Sequence, residues 1–227
     1  MDSVKTKTDG IAEEPSFEGG AEPGKASISA DKSVATDLSD APQERTALDD
    51  AIKNRFRPIP GSTSSTIRLS GPIEHDSIVN GPGLRAVVWT QGCFTHCMGC
   101  QNPETWSPEK GTVVDIKELK NELRQLKGQA GLTFCGGEPF VQAGACKELA
   151  DWVRKELHWN VWSFSGFTYE IIKEYGGAPW EFLKSLDAII DGPFILKQRD
   201  LSLKYRGSKN QRLLHLEPGT GKILSIE

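Results

Sequence analysis

Leu84-Arg-Ala-Val-Val-Trp-Thr90 runs directly into Gln91-Gly-Cys93-Phe-Thr-His-Cys97-Met-Gly-Cys100-Gln-Asn102. The first seven residues are rich in β-branched and aromatic side chains, the composition of a buried strand. The loop that follows carries three thiols within eight residues. Core packing does not require such a density, because buried structural cysteine usually stands alone. Soft thiolates at this spacing point to a metal or a cluster. A structural zinc site needs four ligands, commonly as two short pairs separated by a longer loop. Here there is one loop and no second pair, so His96 or Cys135 would have to complete a zinc set. A cubane [4Fe–4S] cluster takes one thiolate per iron, so three thiolates leave one iron open. An open coordination position is a place for chemistry, which an electron-transfer protein has no reason to keep.

Outward from the loop, the pattern alternates. Ile116, Leu119, Leu123 and Leu126 have helical spacing, and Gly131–Cys135 is a short strand ending in Gly136-Gly137. A second helix is expected over Ala143–Leu157, then a strand over Asn160–Ser165 that stops at Gly166. A helix over Tyr169–Tyr175 and an apolar strand over Ala188–Asp191 follow. Strand, loop and helix repeated at this length predict an α/β fold with a parallel sheet. The chain is short of the roughly 250 residues of a closed eight-stranded barrel, so an open or partial (β/α) barrel is expected. In such folds the C-terminal strand ends share one rim, where ligands bind. Cys93–Cys100, Gly136–Pro139, Ser163–Gly166 and Asp191–Pro193 should therefore converge.

The bulk numbers set limits. At 227 residues there is room for one domain and some extra length. Residues 1–50 hold 12 acidic and 5 basic side chains, against 19 acidic and 22 basic in residues 51–227. That balance gives no nucleic-acid-binding charge density. Residues 1–66 read as an acidic tail and linker: the first 50 have one aromatic, Phe17, and too little apolar surface to offset ordering. A short helix is allowed over Thr46–Phe56, and Pro58, Pro60 and Gly61 mark the linker. The folded unit is expected from residue 67 to 227. No apolar run is long enough to span a bilayer, and closely spaced thiols without a signal peptide fit a reducing cytoplasmic setting.

With Cys93, Cys97 and Cys100 in a Cys-x3-Cys-x2-Cys pattern, the chain resembles the radical S-adenosylmethionine superfamily. Asn80-Gly-Pro-Gly-Leu-Arg85, Asn102 and Thr105-Trp106 are similar to the glycyl-radical-enzyme activases within it. Asp187–Phe194 and Arg206–Arg212 look most like activating proteins of anaerobic ribonucleotide reductase. The likeness covers residues 70–217. It implies a partial barrel of the radical S-adenosylmethionine type over residues 67–227. It also implies a [4Fe–4S] cluster on Cys93, Cys97 and Cys100, with S-adenosylmethionine on the open iron. Reductive cleavage would yield a 5′-deoxyadenosyl radical that takes a glycine hydrogen from the reductase. The implied partners are that large glycyl radical enzyme and a flavodoxin- or ferredoxin-like electron donor, with no nucleic acid and no membrane.

Gly136, Gly137, Glu138 and Pro139 match the superfamily's Gly-Gly-Glu-Pro motif, which contacts the methionine amino group. Ser163 and Ser165 are expected to bond the methionine or ribose, and Asp191 either to orient substrate or to cap a turn. Arg206, Lys209 and Arg212 read as a partner or cofactor contact, or as a solvated basic loop. Trp106 would shield the cluster or fill core, while Phe94 and Met98 would wall it. Gln101, where an aromatic is frequent, and Cys135, where Ser or Thr is usual, depart from the activase pattern. They keep open a radical epimerase or dehydrogenase acting on a sugar or nucleoside, with Cys135 or Cys146 as hydrogen donor. A noncatalytic metal- or partner-binding module is the third reading.

Overall fold

The computed structural model describes residue 50 and residues 52–227; the expectations for the acidic tail before them lie outside the described residues. Nine strands form one mixed sheet: β1 Thr66–Leu69, β2 Glu74–Ser77, β3 Arg85–Thr90, β4 Thr112–Asp115, β5 Gly131–Gly136, β6 Asn160–Phe164, β7 Ala188–Asp191, β8 Arg212–Glu217 and β9 Lys222–Ile226. The order is β4-β1-β3-β5-β6-β7-β8-β9, with β2 also on β3. β3, β5, β6 and β7 are parallel, and the strands outside them pair antiparallel. The path through the sheet ends at β4 and β9, β2 is a further edge beside β3, and no barrel is closed.

Four α-helices connect the strands: α1 Ile116–Gln125, α2 Ala143–Trp152, α3 Tyr169–Tyr175 and α4 Gly177–Leu183. Capping fixes where they start. Asp115 accepts a hydrogen bond from the Lys117 amide at 2.7 Å, and Thr168 caps α3 through the Ile171 amide. The helix expected to run to Leu157 ends at Trp152; a π-type turn, Val153–Leu157, continues it. His158 closes that turn in the left-handed region at φ 58°.

Strand parity divides the sheet. Ala86, Val88, Leu132, Phe134 and Val161 belong to the main core with α1, α2 and α4 residues. Trp162, Ala188, Ile190 and Leu213 form a smaller cluster, with Phe164 and Tyr205 packed on it. The core also reaches N-terminal of Ile67: Phe56 and Ile59 are buried in it, so the stretch read as linker is partly anchored.

Arg85 is fully buried at the start of β3. Its guanidinium donates to Thr133 Oγ1 at 2.6 Å, to the Leu132 carbonyl at 2.6 Å and to Asn160 Oδ1 at 2.7 Å. One side chain thus ties the beginnings of three parallel strands, and with them the relative heights of the three strand ends opposite.

Candidate functional site

Those strand ends meet at a cavity of about 800 Å³. Trp89, Cys135 and Phe164 line it from β3, β5 and β6. Cys93, Cys97 and Cys100 line it too, together with Gly136, Gly137, Glu138, Ser165, Gly166 and Gly192. Three of the four expected segments therefore converge through the residues named for them. The fourth contributes Gly192 rather than Asp191.

Backbone pairing holds the cysteine loop in place. The Gly92 amide donates to the Thr105 carbonyl at 2.7 Å and the Cys93 amide to that of Trp106 at 3.0 Å. All three loop thiols are free and partly exposed. The Asn102 amide approaches Cys100 Sγ at 3.4 Å. Burial pushes the Cys93 thiol up to about 11, the nearby Glu138 charge adding to it, while the Thr95 and His96 amides pull back. Burial raises Cys97 as well, against the Phe194 amide and the charge of Arg55. Backbone N–H groups aimed at sulfur are a means by which proteins stabilise thiolates and tune clusters. Among the described residues no three His, Cys, Asp or Glu side chains gather closely enough for one metal ion. A cubane takes each thiolate on a separate iron and does not require that gathering. Three soft donors facing one roomy cavity fit such a cluster.

Gly-Gly-Glu-Pro has local reasons for every residue. Gly136 sits at φ 97°, and a Cβ on Gly137 would lie 2.5 Å from the Gly92 carbonyl oxygen. Gly136 is thus demanded by its own dihedral and by the end of β3, and Gly137 by the cysteine loop packing on it: the Gly137 amide donates to Thr90 and the Glu138 amide to Gly92. Glu138 caps the 3-10 turn Pro139–Gln142 through the Phe140 amide, and Pro139 takes the first-turn place that suits proline. The remaining lone pairs of Glu138 accept from Ser165 Oγ at 3.0 Å and the Gly166 amide at 2.7 Å. This carboxylate joins the β5 and β6 loops at the cavity wall.

Burial pushes Glu138 up to about 7, against the hydrogen bonds from Gly166, Phe140 and Ser165 and the charge of Arg55. The fold therefore favours the protonated carboxyl. Its contribution to stability is complete below the unfolded value and is lost as pH rises through about 7. Relative to Glu138→Gln, the iron-free wild type is expected to lose about 2 kcal/mol between about pH 5 and about pH 8. Urea midpoints of the two proteins would show it, and a constant difference across that range would refute it.

Ser163 does not reach the cavity. It shares strand parity with Val161 on the helix-covered face, is fully buried, and donates to the Phe164 carbonyl. Ser163→Ala is expected to leave S-adenosylmethionine affinity unchanged and stability within about 1 kcal/mol, which titration and melting would read. Pro139 is likewise buried outside the cavity lining. Asp191 accepts from the Tyr169 amide at 2.7 Å and pairs with Arg212, so it caps α3. Arg212 also binds Glu170, Lys209 faces Asp200, and only Arg206 of the basic cluster lines the cavity. Trp106 packs against His96 with the rings tilted by 31°, and Met98 is 79% exposed rather than part of a wall. Phe94 packs on the core beneath the Arg57 guanidinium. Cys146 is buried on α2 behind Pro139, which removes it as a hydrogen donor; Cys135 does face the cavity. Arg55, Thr95, Tyr205 and Phe194 were not singled out from sequence. Arg55 lies ahead of the expected folded unit, Thr95 and Phe194 lie within quoted stretches without a role of their own, and Tyr205 lies outside every motif.

A site of this kind, three thiols in one strand-end loop facing a cavity, defines a single-cluster iron–sulfur domain. Residues 79–214 match the family described as 4Fe-4S single cluster domain. Anaerobic ribonucleoside-triphosphate reductase-activating proteins are similar to the chain over most of their own length. The one from Enterobacteria phage T4 is 36% identical, over 63% of this chain and 92% of its own. That from Vibrio cholerae is 32% identical over 59% and 89%, and that from Escherichia coli 30% over 61% and 93%. The chain belongs to the family of anaerobic ribonucleoside-triphosphate reductase-activating proteins. It is a radical S-adenosylmethionine enzyme, and its cofactors are a [4Fe–4S] cluster and S-adenosylmethionine. A crystal structure of QueE from Escherichia coli superposes only loosely, at TM-score 0.37 and 17% identity over 56% of this chain and 70% of that one.

Proposed function

We propose that the chain activates an anaerobic ribonucleotide reductase by removing a hydrogen from a glycine Cα, with Cys93, Cys97 and Cys100 as the cluster ligands. The observation that carries this is the shared cavity, where the three thiols stand opposite Gly136–Glu138 and Ser165–Gly166. With both cofactors bound, the cluster supplies one electron and S-adenosylmethionine the 5′-deoxyadenosyl radical that takes the hydrogen. The chain's own part is geometric. Its thiols fix the cluster, and Gly136–Glu138 with Ser165 provide the wall against which the methionine end is held. Trp89 and Phe164 present apolar surface on the cavity side.

The sheet is the partial (β/α) barrel of the radical S-adenosylmethionine type, with residues 67–227 as catalytic domain and the buried Phe56 and Ile59 of the preceding stretch packed onto it. Four consecutive parallel strands and a cavity at their ends support that reading. Ile78, Val79 and Leu201 line the cavity and are each more than two-thirds exposed, which suits a protein substrate that covers the mouth. A cytoplasmic location and a flavodoxin- or ferredoxin-like electron donor complete the reading. No helix among the described residues is long and apolar enough to cross a membrane.

The test is anaerobic incubation of reconstituted protein with the reductase, S-adenosylmethionine and reductant. A glycyl radical in the electron paramagnetic resonance spectrum is expected. Cleavage of S-adenosylmethionine without that signal would move the substrate to a small molecule. No cleavage at all would end the radical reading.

A further inference from the structure

The segment ahead of β1 does more than precede the domain. Arg55 Nη2 donates to Thr95 Oγ1 at 2.8 Å and to the Gly166 carbonyl at 3.2 Å. Its guanidinium carbon stands 4.5 Å from the centre of the Phe167 ring. Phe56 stacks between Phe167 and Tyr175, at centroid distances of 3.9 and 4.0 Å. Arg57 covers Phe94 at 4.3 Å. Ile59 fills the space beside Gly92, where a Cβ would come within 2.3 Å of it. Four of the residues between 55 and 59 thus contact the cysteine loop, the loop after β6 and the last residue of α3. All four precede the stretch matched by the single-cluster family.

Gly166 is gripped from both sides. Its amide donates to Glu138 and its carbonyl accepts from Arg55. Thr95, held by the same guanidinium, lies between the first and second loop cysteines. One Nη nitrogen serves both oxygens while the planar guanidinium lies over the Phe167 ring, a stacking that the ammonium of lysine does not reproduce. The arginine also places a permanent positive charge beside the thiol loop, where ligand and cluster charge set reduction potential.

We propose that Arg55 is a positioning residue for the cluster: it locks Thr95 of the ligand loop to Gly166, and its charge favours the reduced, more negative cluster state. This rests on the cluster assignment above. Arg55→Met and Arg55→Lys in the full chain test it, with Arg55→Gln in reserve should the methionine variant be insoluble. In iron-free protein, Arg55→Met is expected to lose amide-exchange protection over residues 92–101 and 165–167, and Arg55→Lys to retain part of it. In reconstituted protein, a redox titration followed by electron paramagnetic resonance is expected to show a more negative midpoint for Arg55→Met. Roughly threefold less cluster would be reduced at a fixed poise. Arg55→Lys, which keeps the charge, should recover most of that shift.

The proposal stands only if protection and potential both move in Arg55→Met and lysine restores the potential. Unchanged protection, an unchanged potential, or an equal shift in both variants overturns it. A wild-type chain that takes up no cubane would instead bring down the functional reading. The exchange comparison, made without iron, keeps the two failures apart, since it reads the tie between Thr95 and Gly166 whether or not a cubane is taken up.

Discussion

A chain carrying Cys97→Ala is expected to fold normally and to hold no [4Fe–4S] chromophore after anaerobic reconstitution. Two thiolates in the loop cannot replace three around a cubane, so bound iron should fall to background and cleavage of S-adenosylmethionine should vanish. Stability should hardly change. Cys97 is partly exposed, and the loop is held by backbone bonds of Gly92 and Cys93 that do not involve its side chain. A shift within about 0.5 kcal/mol is expected in the urea midpoint. Cys146→Ala should behave in the opposite way. Its sulfur is buried on α2, so truncation costs roughly 1 kcal/mol and leaves iron content intact. Wild-type absorbance and iron in Cys97→Ala would sink the ligand assignment.

Arg85→Met is expected to lower stability by roughly 3 kcal/mol or more, a large part of what a domain of this size possesses. Burial brings the guanidinium down only to about 10, so it stays charged at neutral pH. Removing it strands Thr133 Oγ1 and the Leu132 carbonyl in a dry interior as acceptors without their donor, and cuts the tie to the half-buried Asn160 Oδ1. Arg85→Lys should recover little, because an ammonium cannot reach three strands in one plane. The loss would travel to the far rim of the sheet. Relative heights of β3, β5 and β6 set where the cysteine loop, Glu138 and Ser165 stand. Reconstituted Arg85→Met should therefore retain less cluster than its folded fraction predicts. A urea midpoint equal to wild type would dispose of this account.

The parallel centre of the sheet was legible because its strands are apolar runs stopped by glycine, and the site because three thiols occupy one loop. Outer strands were harder to read. β2 is Glu-His-Asp-Ser, with no apolar alternation, and β9 is largely exposed at the edge. Such strands form because a neighbour offers hydrogen bonds, a cause that lies elsewhere in the chain. Ser163 was assigned to the cavity through its place near a strand end. Its direction depends on which face the helices cover, and one residue of parity decides that. The two glycines of Gly136-Gly137 allow close backbone approach for a reason the motif alone does not reveal: Gly136 lies against Thr90 and Gly137 against Gly92. Arg55 carries no sequence signal: a guanidinium in a short polar stretch ahead of Pro58 looks solvent-facing until its long-range partners, Thr95 and Gly166, are known.

The mouth of the cavity, bordered by exposed Ile78, Val79 and Leu201, sets a hazard as well as an opportunity. An entrance broad enough for a macromolecule also admits dioxygen, and iron–sulfur corners with a missing thiolate are vulnerable to it. Between turnovers the enzyme would be shielded less by its own architecture than by anoxia or by a docked companion. Its working lifetime in air should lengthen when that companion is present.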